Sequence, residues 1–421
     1  MRLVITTEHR FSLAPDGSVW TKVAFDLAFW QRYLNVFDSL RLVARATLDP
    51  GIDQTYKKVT GEKIGFWPLP HYLGPEQFLL QHRKIRASLH AAVADRDVLL
   101  CRVASPIADQ ILPSFWKKNR PYGLEVVGDP YEALAPKAIR HPLRPLFRAW
   151  STRSLKRQCS KAVAVAYVTR EALQRRYPCP ALSVGVSDVG HLNFREDAKV
   201  FTTNYSSLDC EASDFVGEAR HFRGRERLRI LFIGSLAQMY KGPDILLKAI
   251  QLVAAHLDPN VVIVGDGKHR KELELMASHL GISRNVQFLG ELPSGMAIRD
   301  QLDQATLFVM PSRTEGLPRV IIEAMTRAVP CIATRVGGIS ELLCDEDLVE
   351  AEDYLGLANK IKEVIGSPAR LSEMSRRNLE RAQEYRPEIL ETRRNGFCRF
   401  LRHATEKWLG QTNDQAVGAG V

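Results

Sequence analysis

The sequence lacks the uncharged apolar run of about 18 residues that a membrane-spanning helix requires. Its first residues, MRLVITTEH, reach Glu8 and His9 too soon for the apolar segment of a signal peptide. Its seven cysteines are scattered, and none has the CxxC spacing typical of zinc sites. These absences predict a protein of a reducing compartment, cytoplasmic or resting peripherally on the cytosolic face of a membrane.

Charge is plentiful and biased toward the positive sign. The chain has 58 Lys and Arg against 48 Asp and Glu, which gives a net charge of +10. Such a charge attracts nucleic acid, anionic lipid and phosphorylated substrates alike. No groove-reading or RNA-binding motif is present, so we expect no nucleic-acid partner. A length of 421 residues exceeds one hydrophobic core and predicts two domains.

Short runs rich in Val, Ile and Leu alternate with longer helical patterns in both halves of the chain. Near-continuous apolar runs of this kind predict parallel strands covered by helices on both faces. The class expected is therefore α/β, with two doubly wound, Rossmann-like domains. The predicted strands are 2–6, 39–45, 97–102, 123–128 and 162–169 in the first half, and 229–235, 261–267, 286–291, 307–312 and 330–336 in the second.

The domain boundary is expected in a polar segment that lacks hydrophobic periodicity. After the second domain, a helical pattern predicts a segment that crosses back to the first domain, and small polar residues then predict a frayed tail. The segments are an N-terminal domain (1–208), a linker (209–228), a C-terminal domain (229–386), a C-terminal helix (387–409) and the tail (410–421).

Ligands of open parallel sheets bind at the carboxyl ends of strands, near helix N-termini. After residues 229–233, Gly234 allows a close backbone turn, and Lys241 precedes a helix. Lys241 either contacts a phosphate or is an ordinary surface lysine. No GK[ST] is present, which excludes a Walker A loop. In GDGKHR, the third glycine of a dinucleotide motif is replaced by Arg270, so the indication of NAD binding is weak.

The segment PSRTEGLPRVIIEAM places Glu315 just before a helix and Glu323 two turns inside it. The pattern fits an ordinary amphipathic helix with an acidic N-terminus, or two carboxylates that bind a ligand. Eight residues of helix span on the order of 12 Å, too far for an acid/base pair around one bond. The carboxylates suit the two ends of a diphosphate that carries a sugar on each side, with amides near Gly316 between them.

EGLPRVIIE, with its E-x7-E spacing, is followed by AMTRAVPCIATRVGGISELL and preceded by ILFIGSLAQMYKG and VVIVGDG. Together these motifs resemble the C-terminal donor domain of family 4 glycosyltransferases, over about residues 228–385. The family comprises retaining enzymes of the GT-B fold, in which two doubly wound Rossmann-like domains face a central cleft. The resemblance implies transfer of a hexose-type sugar from a nucleotide-diphosphate sugar to a glycan or lipid-linked glycan. It also implies that neither a metal nor another cofactor is required.

The resemblance implies a role for each residue of the donor site. Glu315 is expected to be catalytic and to bind the hydroxyls of the donor sugar, Glu323 to bind the ribose hydroxyls, and Lys241 to neutralise phosphate. The amides of Gly316 and Leu317 are expected to bind the diphosphate. The other implied donor-binding residues are Gly234, Ser235, Gly265, Gly290 and Leu292, the last two at the edge of the base.

The chain departs from the family pattern in the donor loops. Ser235 stands where the family usually has an arginine, and Pro318 removes an N–H where the family often has glycine. The acidic triplet at 345–347 resembles a metal-binding DxD motif, but we interpret it as a solvated loop. The candidates to replace the missing arginine are Arg223, Arg225 and Arg319.

A third departure lies in the N-terminal domain. Gly128 occupies the position of a histidine that the family is thought to place against the donor sugar. Asp129 is then the nearest polar candidate for a catalytic role, or it is a helix cap. Two alternatives to transfer therefore stay open: a nucleotide-sugar 2-epimerase or hydrolase on the same fold, and a catalytically silent partner that binds nucleotide sugar.

Two further segments of the N-terminal domain carry predictions. Residues 18–34 predict a long first helix. Residues 140–176 interleave Leu143, Phe147 and Trp150 with many arginines and lysines. This segment is either a core-packing helix with a solvated basic face, or a surface for anionic lipid headgroups or a lipid-diphosphate acceptor.

Overall fold

The computed structural model of the protein describes residues 1–22, 25–135, 141–180, 199–208, 210–224 and 228–418. The chain divides into two compact units. The second unit contains the segment predicted as a linker, and the first unit contains the C-terminal helical segment. The first unit consists of Met1–Pro130, Ala149–Tyr205 and Glu388–Val421, and the second of Tyr131–Arg148 and Ser206–Pro387.

The first unit is built on a largely parallel sheet. Its strands are β1 (Arg2–Leu13), β2 (Val19–Thr21), β3 (Ser39–Leu48), β4 (Lys57–Lys58), β5 (Ile64–Leu69), β6 (Val98–Val103), β7 (Gly123–Val126), β8 (Ala164–Tyr167) and β9 (Phe201–Asn204). The parallel order is β5-β3-β1-β6-β7-β8-β9, with β2 antiparallel to the end of β1 and β4 antiparallel to β2. All five strands predicted in this half are present, and β2, β4, β5 and β9 are additional.

The prediction of a long helix over 18–34 is wrong. Val19–Thr21 forms β2, because β1 extends beyond its pairing with β6 and offers a free edge to which Trp20 pairs opposite Ser12. The helix that follows is short, and Asp26 begins it by accepting a hydrogen bond from the Phe29 amide (3.1 Å). The helices of this part of the chain are α1 (Leu27–Gln31), α2 (Gly74–Ala92), α3 (Pro106–Lys117), α4 (Pro130–Ala133), α5 (Arg144–Lys161) and α6 (Ala172–Arg176).

The second unit contains a fully parallel sheet with the order β12-β11-β10-β13-β14-β15. Its strands are β10 (Arg229–Ile233), β11 (Asn260–Val264), β12 (Val286–Gly290), β13 (Leu307–Met310), β14 (Cys331–Thr334) and β15 (Leu348–Val349). Its helices are α7 (Pro243–Ala254), α8 (Arg270–His279), α9 (Met296–Gln304), α10 (Arg319–Thr326), α11 (Tyr354–Ile365) and α12 (Pro368–Ala382). All five strands predicted in this half are present, so the expectation of two doubly wound α/β domains is confirmed.

The last helix, α13 (Pro387–Gly418), packs on the sheet of the first unit and continues past Gly410, where we predicted a frayed tail. Phe400 stacks on Phe201 of β9 with ring centroids 5.4 Å apart. A Cβ at Gly123 of β7 would lie 2.6 Å from Leu401 Cδ2, so a side chain there would displace Leu401. Within the described residues, no helix combines the length and apolar character that crossing a bilayer requires.

Candidate functional site

The site predicted from the sequence lies at the carboxyl edge of the second sheet, where the strand order reverses. β10 is followed in the chain by β11 on one side, and β13 by β14 on the other. The connections that leave β10 and β13 therefore run to opposite sides, and this reversal marks the ligand-binding position of doubly wound sheets. The loop after β10 carries Lys241, and the loop after β13 carries Glu315.

Two glycines let neighbouring loops touch the loop after β13. Gly242 has φ 74°, and a Cβ there would lie 2.0 Å from the Pro311 carbonyl oxygen. Gly337, after β14, has φ 52°, and a Cβ there would lie 1.9 Å from the Glu315 carbonyl oxygen. Both positions need the left-handed backbone and the missing side chain of glycine. The backbone around Glu315 is thus enclosed by the loops after β10 and β14.

Lys241 and Glu315 are in direct contact. Lys241 Nζ donates to Glu315 Oε1 at 2.6 Å, and Ser312 Oγ donates to the same oxygen at 2.9 Å. The side chain of Glu315 is 8% exposed and that of Lys241 15% exposed. Ser312 is itself buried, and its carbonyl accepts a hydrogen bond from Thr334 Oγ1 (2.5 Å). The structure therefore brings together a cation suited to phosphate and a carboxylate suited to sugar hydroxyls.

Glu323 lies one to two turns into α10 in a different electrostatic setting. Within the described residues, no side chain or backbone group forms a hydrogen bond or ion pair with its carboxylate. Burial raises the pKa of the Glu323 carboxyl, while the nearby Arg319 guanidinium acts in the opposite direction. A poorly solvated carboxylate without a partner gains from accepting hydroxyl hydrogen bonds, and two vicinal hydroxyls match its two oxygens.

The N-terminus of α10 offers unpaired backbone donors between these two carboxylates. The Gly316 carbonyl accepts from the Gly338 amide at 2.7 Å. In the described part of the chain, the N–H groups of Gly316 and Leu317 donate to no acceptor. The cap residue, Pro318, forms no side-chain hydrogen bond to the helix. Free amides at a helix N-terminus bind anions, so this segment can hold a diphosphate.

The remaining predicted donor residues line the same edge. The amide of Gly234 donates to the Val264 carbonyl (2.9 Å), and the amide of Gly265 donates to the Gly290 carbonyl (2.8 Å). These bonds join the ends of β10, β11 and β12. Ser235 is exposed, and its Oγ accepts from the Ala237 amide (3.2 Å). Leu292, two residues beyond β12, is partly exposed at this edge.

The three arginines considered as replacements for the family arginine have different positions. Arg319 is the first residue of α10, beside the unpaired amides. Arg223 adjoins Phe222, whose amide donates to Ser372 Oγ of α12 (3.0 Å). Arg225 lies outside the described residues. Arg319 is therefore the candidate that the structure places at the site.

Asp129 belongs to the first unit and lies between the end of β7 and the start of α4. Its Oδ1 accepts from the Tyr177 hydroxyl at 2.5 Å, and its Oδ2 forms an ion pair with Arg176 at the end of α6. The side chain is 9% exposed. At the preceding Gly128, a Cβ would meet no atom within 4 Å, so the position has room for a side chain.

The acidic triplet at 345–347 differs from the solvated loop that we predicted. Asp347 is 1% exposed and forms ion pairs with Arg370 (2.5 Å) and Arg377 (3.0 Å). Glu346 contacts both of these arginines, and Asp345 contacts a third. The prediction is wrong for Asp347, because two arginines of α12 lie over it. In the described part of the chain, no group of three or more His, Cys, Asp or Glu side chains could hold a metal ion.

The segment 140–176 contains both buried and exposed apolar side chains. Its first residue, Arg140, lies outside the described residues. Leu155 of α5 is buried, as a core-packing helix requires. Leu143, Leu146 and Trp150 are 52%, 64% and 51% exposed. The N-terminal part of α5 thus presents apolar side chains to solvent among its arginines.

Sequence reasoning missed Arg313, which lies two residues before Glu315 and pairs with Asp244 and Glu352. These hydrogen bonds raise the pKa of Arg313 above its ordinary value, Asp244 contributing most. Asp244 lies in the first turn of α7, where the helix dipole favours an acidic residue. An arginine inside a site loop was the available signal, but its partners lie 69 and 39 residues away in the sequence.

Comparison with known proteins agrees with this architecture. The family described as "Glycosyl transferases group 1" matches residues 218–384. Protein CapJ of Staphylococcus aureus is 28% identical over 395 residues, which cover 92% of each chain. The GalNAc-alpha-(1->4)-GalNAc-alpha-(1->3)-diNAcBac-PP-undecaprenol alpha-1,4-N-acetyl-D-galactosaminyltransferase of Campylobacter jejuni is 32% identical over 247 residues, which cover 55% of this chain and 60% of that protein.

Solved structures share the whole fold at low sequence identity. Sucrose-phosphate synthase from Thermosynechococcus elongatus superposes with a TM-score of 0.65 and 17% identity, over 100% of both chains. HepE of Anabaena, in complex with UDP and glucose, superposes with a TM-score of 0.60 and 16% identity, over 94% of this chain and 98% of its own. At these identities the likeness concerns the fold alone. It confirms the GT-B fold that the sequence predicted.

Proposed function

Because the chain belongs to the group 1 glycosyl transferases, we propose that it transfers a hexose-type sugar from a nucleotide-diphosphate sugar to a glycan or lipid-linked glycan. The observation that carries this proposal is the 2.6 Å contact between Lys241 Nζ and Glu315 Oε1 at the point where the strand order reverses. A cation and a carboxylate there suit the two chemistries of the donor, a diphosphate and a sugar.

Each part of the donor has a proposed partner. The diphosphate lies at the N-terminus of α10, where the amides of Gly316 and Leu317 are unpaired, and Lys241 contributes its charge. Glu315 accepts hydrogen bonds from the sugar hydroxyls. Glu323, which is poorly solvated and unpaired among the described residues, accepts them from the ribose.

The same groups support departure of the nucleoside diphosphate. As the bond to the sugar breaks, negative charge grows on the leaving phosphate oxygens. Lys241 and the α10 N-terminus are already oriented, so they stabilise this charge with little rearrangement. We propose that the acceptor attacks the same face, with retention, and that the departing diphosphate accepts its proton. We also propose that no metal is required, which unchanged turnover in the presence of excess EDTA would support.

The proposed acceptor is a glycan, free or linked to a lipid. Two observations support the lipid-linked form and a peripheral contact with an anionic membrane. The Campylobacter jejuni relative is named for an acceptor on undecaprenol diphosphate. In this chain, Leu146 and Trp150 are more than half exposed in α5, a helix with arginines and lysines along its length. Salt-sensitive co-sedimentation with liposomes that contain anionic lipid, lost in Leu146→Ser/Trp150→Ser, tests this contact.

For Asp129 the proposal is a catalytic contribution from the first unit. Its carboxylate is already oriented by Tyr177 and Arg176. Asp129→Asn keeps the shape and removes the charge, so it should lower donor turnover while Gly128→Ala, which meets no neighbouring atom, should not. Equal turnover of Asp129→Asn and the wild-type protein would limit Asp129 to a structural role.

A panel of nucleotide-diphosphate sugars, assayed for turnover and slow hydrolysis, tests the function as a whole. Glu315→Gln should abolish turnover of the preferred donor while the protein remains folded. The matched control is Glu363→Gln, since Glu363 also pairs with a lysine at 2.7 Å but is exposed on α11. Tight binding of nucleoside diphosphate without turnover of any donor would favour the silent binding partner. Turnover unaffected by Glu315→Gln would refute the site.

A further inference from the structure

The guanidinium of Arg313 forms five hydrogen bonds, one for each of its N–H groups. Nη1 donates to the Met239 carbonyl (2.6 Å) and to Asp244 Oδ1 (2.8 Å). Nη2 donates to Asp244 Oδ2 (2.7 Å) and Glu352 Oε2 (3.1 Å), and Nε donates to Glu352 Oε1 (2.6 Å). The side chain is 13% exposed. We call Arg313, Asp244 and Glu352 the Arg313 network.

This network joins the two loops that carry Lys241 and Glu315. The side chain of Arg313 holds the carbonyl of Met239, and its backbone amide donates to the carbonyl of Tyr240 at 2.7 Å. These are the two residues immediately before Lys241. Arg313 itself lies two residues before Glu315. Arg313 thus binds the residue next to Lys241, and only Thr314 separates it from Glu315. The network therefore sets the distance between the lysine and the glutamate.

We propose that Arg313 is a positioning residue that places Lys241 where the diphosphate of the donor binds. This inference rests on the proposed function, because it assigns the network a role in donor binding. Among the described residues, the side chain of Arg313 forms no hydrogen bond or ion pair with Glu315. It acts on the donor through Lys241.

The network is specific for arginine. A lysine has one point charge and three donors, so it cannot bind two carboxylates in bidentate fashion and a carbonyl as well. Asp244 is oriented by its place in the first turn of α7. Glu352 has φ 72°, a backbone conformation that non-glycine residues rarely adopt. This uncommon backbone conformation thus occurs at the residue whose carboxylate accepts two of the hydrogen bonds from Arg313.

A second arginine of the same unit provides a matched control. Arg327 donates from Nε and Nη2 to the two carboxylate oxygens of Asp303, each at 2.7 Å, and its side chain is 16% exposed. It lies after the C-terminal end of α10, at the amino edge of the sheet. Arg327→Lys thus removes a bidentate arginine–carboxylate contact of similar geometry and similar exposure of the arginine, although Asp303 is 41% exposed against 16% for Asp244. Among the described residues, Arg327 forms no hydrogen bond or ion pair with the loops that carry Lys241 and Glu315.

The experiment measures binding of nucleoside diphosphates and the matching monophosphates by calorimetry, with uridine, guanosine and adenosine as bases. In the wild-type protein, the Kd of the monophosphate divided by the Kd of the diphosphate reports the contribution of the second phosphate. Arg313→Lys should lower that ratio about tenfold, because a misplaced Lys241 loses its phosphate contact. Arg327→Lys should leave the ratio unchanged. If Arg313→Lys does not fold, Glu352→Gln and Asp244→Asn should each lower the ratio.

A double variant separates positioning from a general effect on the fold. If Arg313 acts through Lys241, adding Arg313→Lys to Lys241→Met should weaken diphosphate binding no further. Two results would overturn the inference about Arg313 but leave the proposed function standing. One is full additivity of the effects of Arg313→Lys and Lys241→Met on diphosphate binding, and the other is an equal ratio in Arg313→Lys and Arg327→Lys. A wild-type protein with no preference for diphosphate over monophosphate would overturn the proposed function and this inference with it.

Discussion

Replacing Gly337 by alanine tests whether the loop after β14 determines the position of Glu315. The new Cβ would lie 1.9 Å from the Glu315 carbonyl oxygen, so the two loops must separate by about 1.5 Å to reach ordinary van der Waals contact. The alanine must also adopt a left-handed backbone at φ 52°, at a cost of about 1–2 kcal/mol. Gly337→Ala should therefore affect stability and the site together.

Gly281→Ala is the matched control for this change. Gly281 has φ 71°, and a Cβ there would meet no atom within 4 Å, so only the backbone cost of about 1–2 kcal/mol applies. Because a displacement of about 1 Å can reduce rate about a hundredfold, we expect kcat/KM for the donor to fall by that factor in Gly337→Ala. The equivalent loss of transition-state stabilisation is about 2.7 kcal/mol.

Two assays separate the effects. Thermal unfolding measures the cost of the backbone and the clash, and donor turnover measures displacement of the site. Both variants should unfold at lower temperature, with Gly337→Ala the lower of the two, and only Gly337→Ala should lose turnover. If both variants unfold alike and both retain wild-type kcat/KM, the contact between the loop after β14 and Glu315 does not position the site.

Further predictions concern buried carboxylates. Burial raises the pKa of Glu323, so ionisation of its carboxyl lowers the stability of the folded chain as pH rises above about 4.5. Glu323→Gln should therefore raise the free energy of unfolding at pH 7 and should weaken nucleotide binding. Glu363→Gln is the control in the unfolding measurement and in the binding measurement. Burial raises the pKa of Asp109 to about 6, so wild-type stability should fall as pH rises from about 4 to 6, and denaturant unfolding of Asp109→Asn should show that fall reduced. Asp347→Ala leaves two arginines of α12 without their buried partner and should lower the free energy of unfolding by about 3 kcal/mol. Asp345→Ala, at a side chain 80% exposed, should lower it by less than about 0.5 kcal/mol. Equal losses in denaturant unfolding would contradict this explanation.

The strands of both sheets were predictable because each is a short apolar run between helical patterns. The exceptions have a common physical cause. β2 pairs at a free edge of β1, and its residues Val19–Thr21 carry no signal of that partner, so helical periodicity over 18–34 appeared sufficient. β15, with two residues, is too short for any periodicity. Pairing at an edge depends on tertiary structure, which a local pattern does not contain.

The candidate site was predictable where one segment carries the chemistry, and not where distant segments meet. Glu315, Glu323 and the amides at the start of α10 come from one stretch of sequence, so their spacing suggested a ligand. The contact of Lys241 with Glu315 spans 74 residues, and the family resemblance implied only that both residues bind the donor. The Arg313 network joins three segments, and each of its charges has an ordinary interpretation as a surface or helix-end residue.

The packing of α13 on the first unit has a consequence for synthesis of the chain. The sheet of that unit ends with β9, yet the residues that cover Gly123 and Phe201 come from Pro387–Gly418, after the whole second unit has been made. At roughly 5–20 residues per second, a ribosome needs on the order of 10–40 s to cover that interval. During this time an apolar face of the first sheet stays uncovered, so the N-terminal unit cannot complete its folding first. The N-terminal unit, which is synthesised first, is therefore completed only after the C-terminal helix α13 has been made.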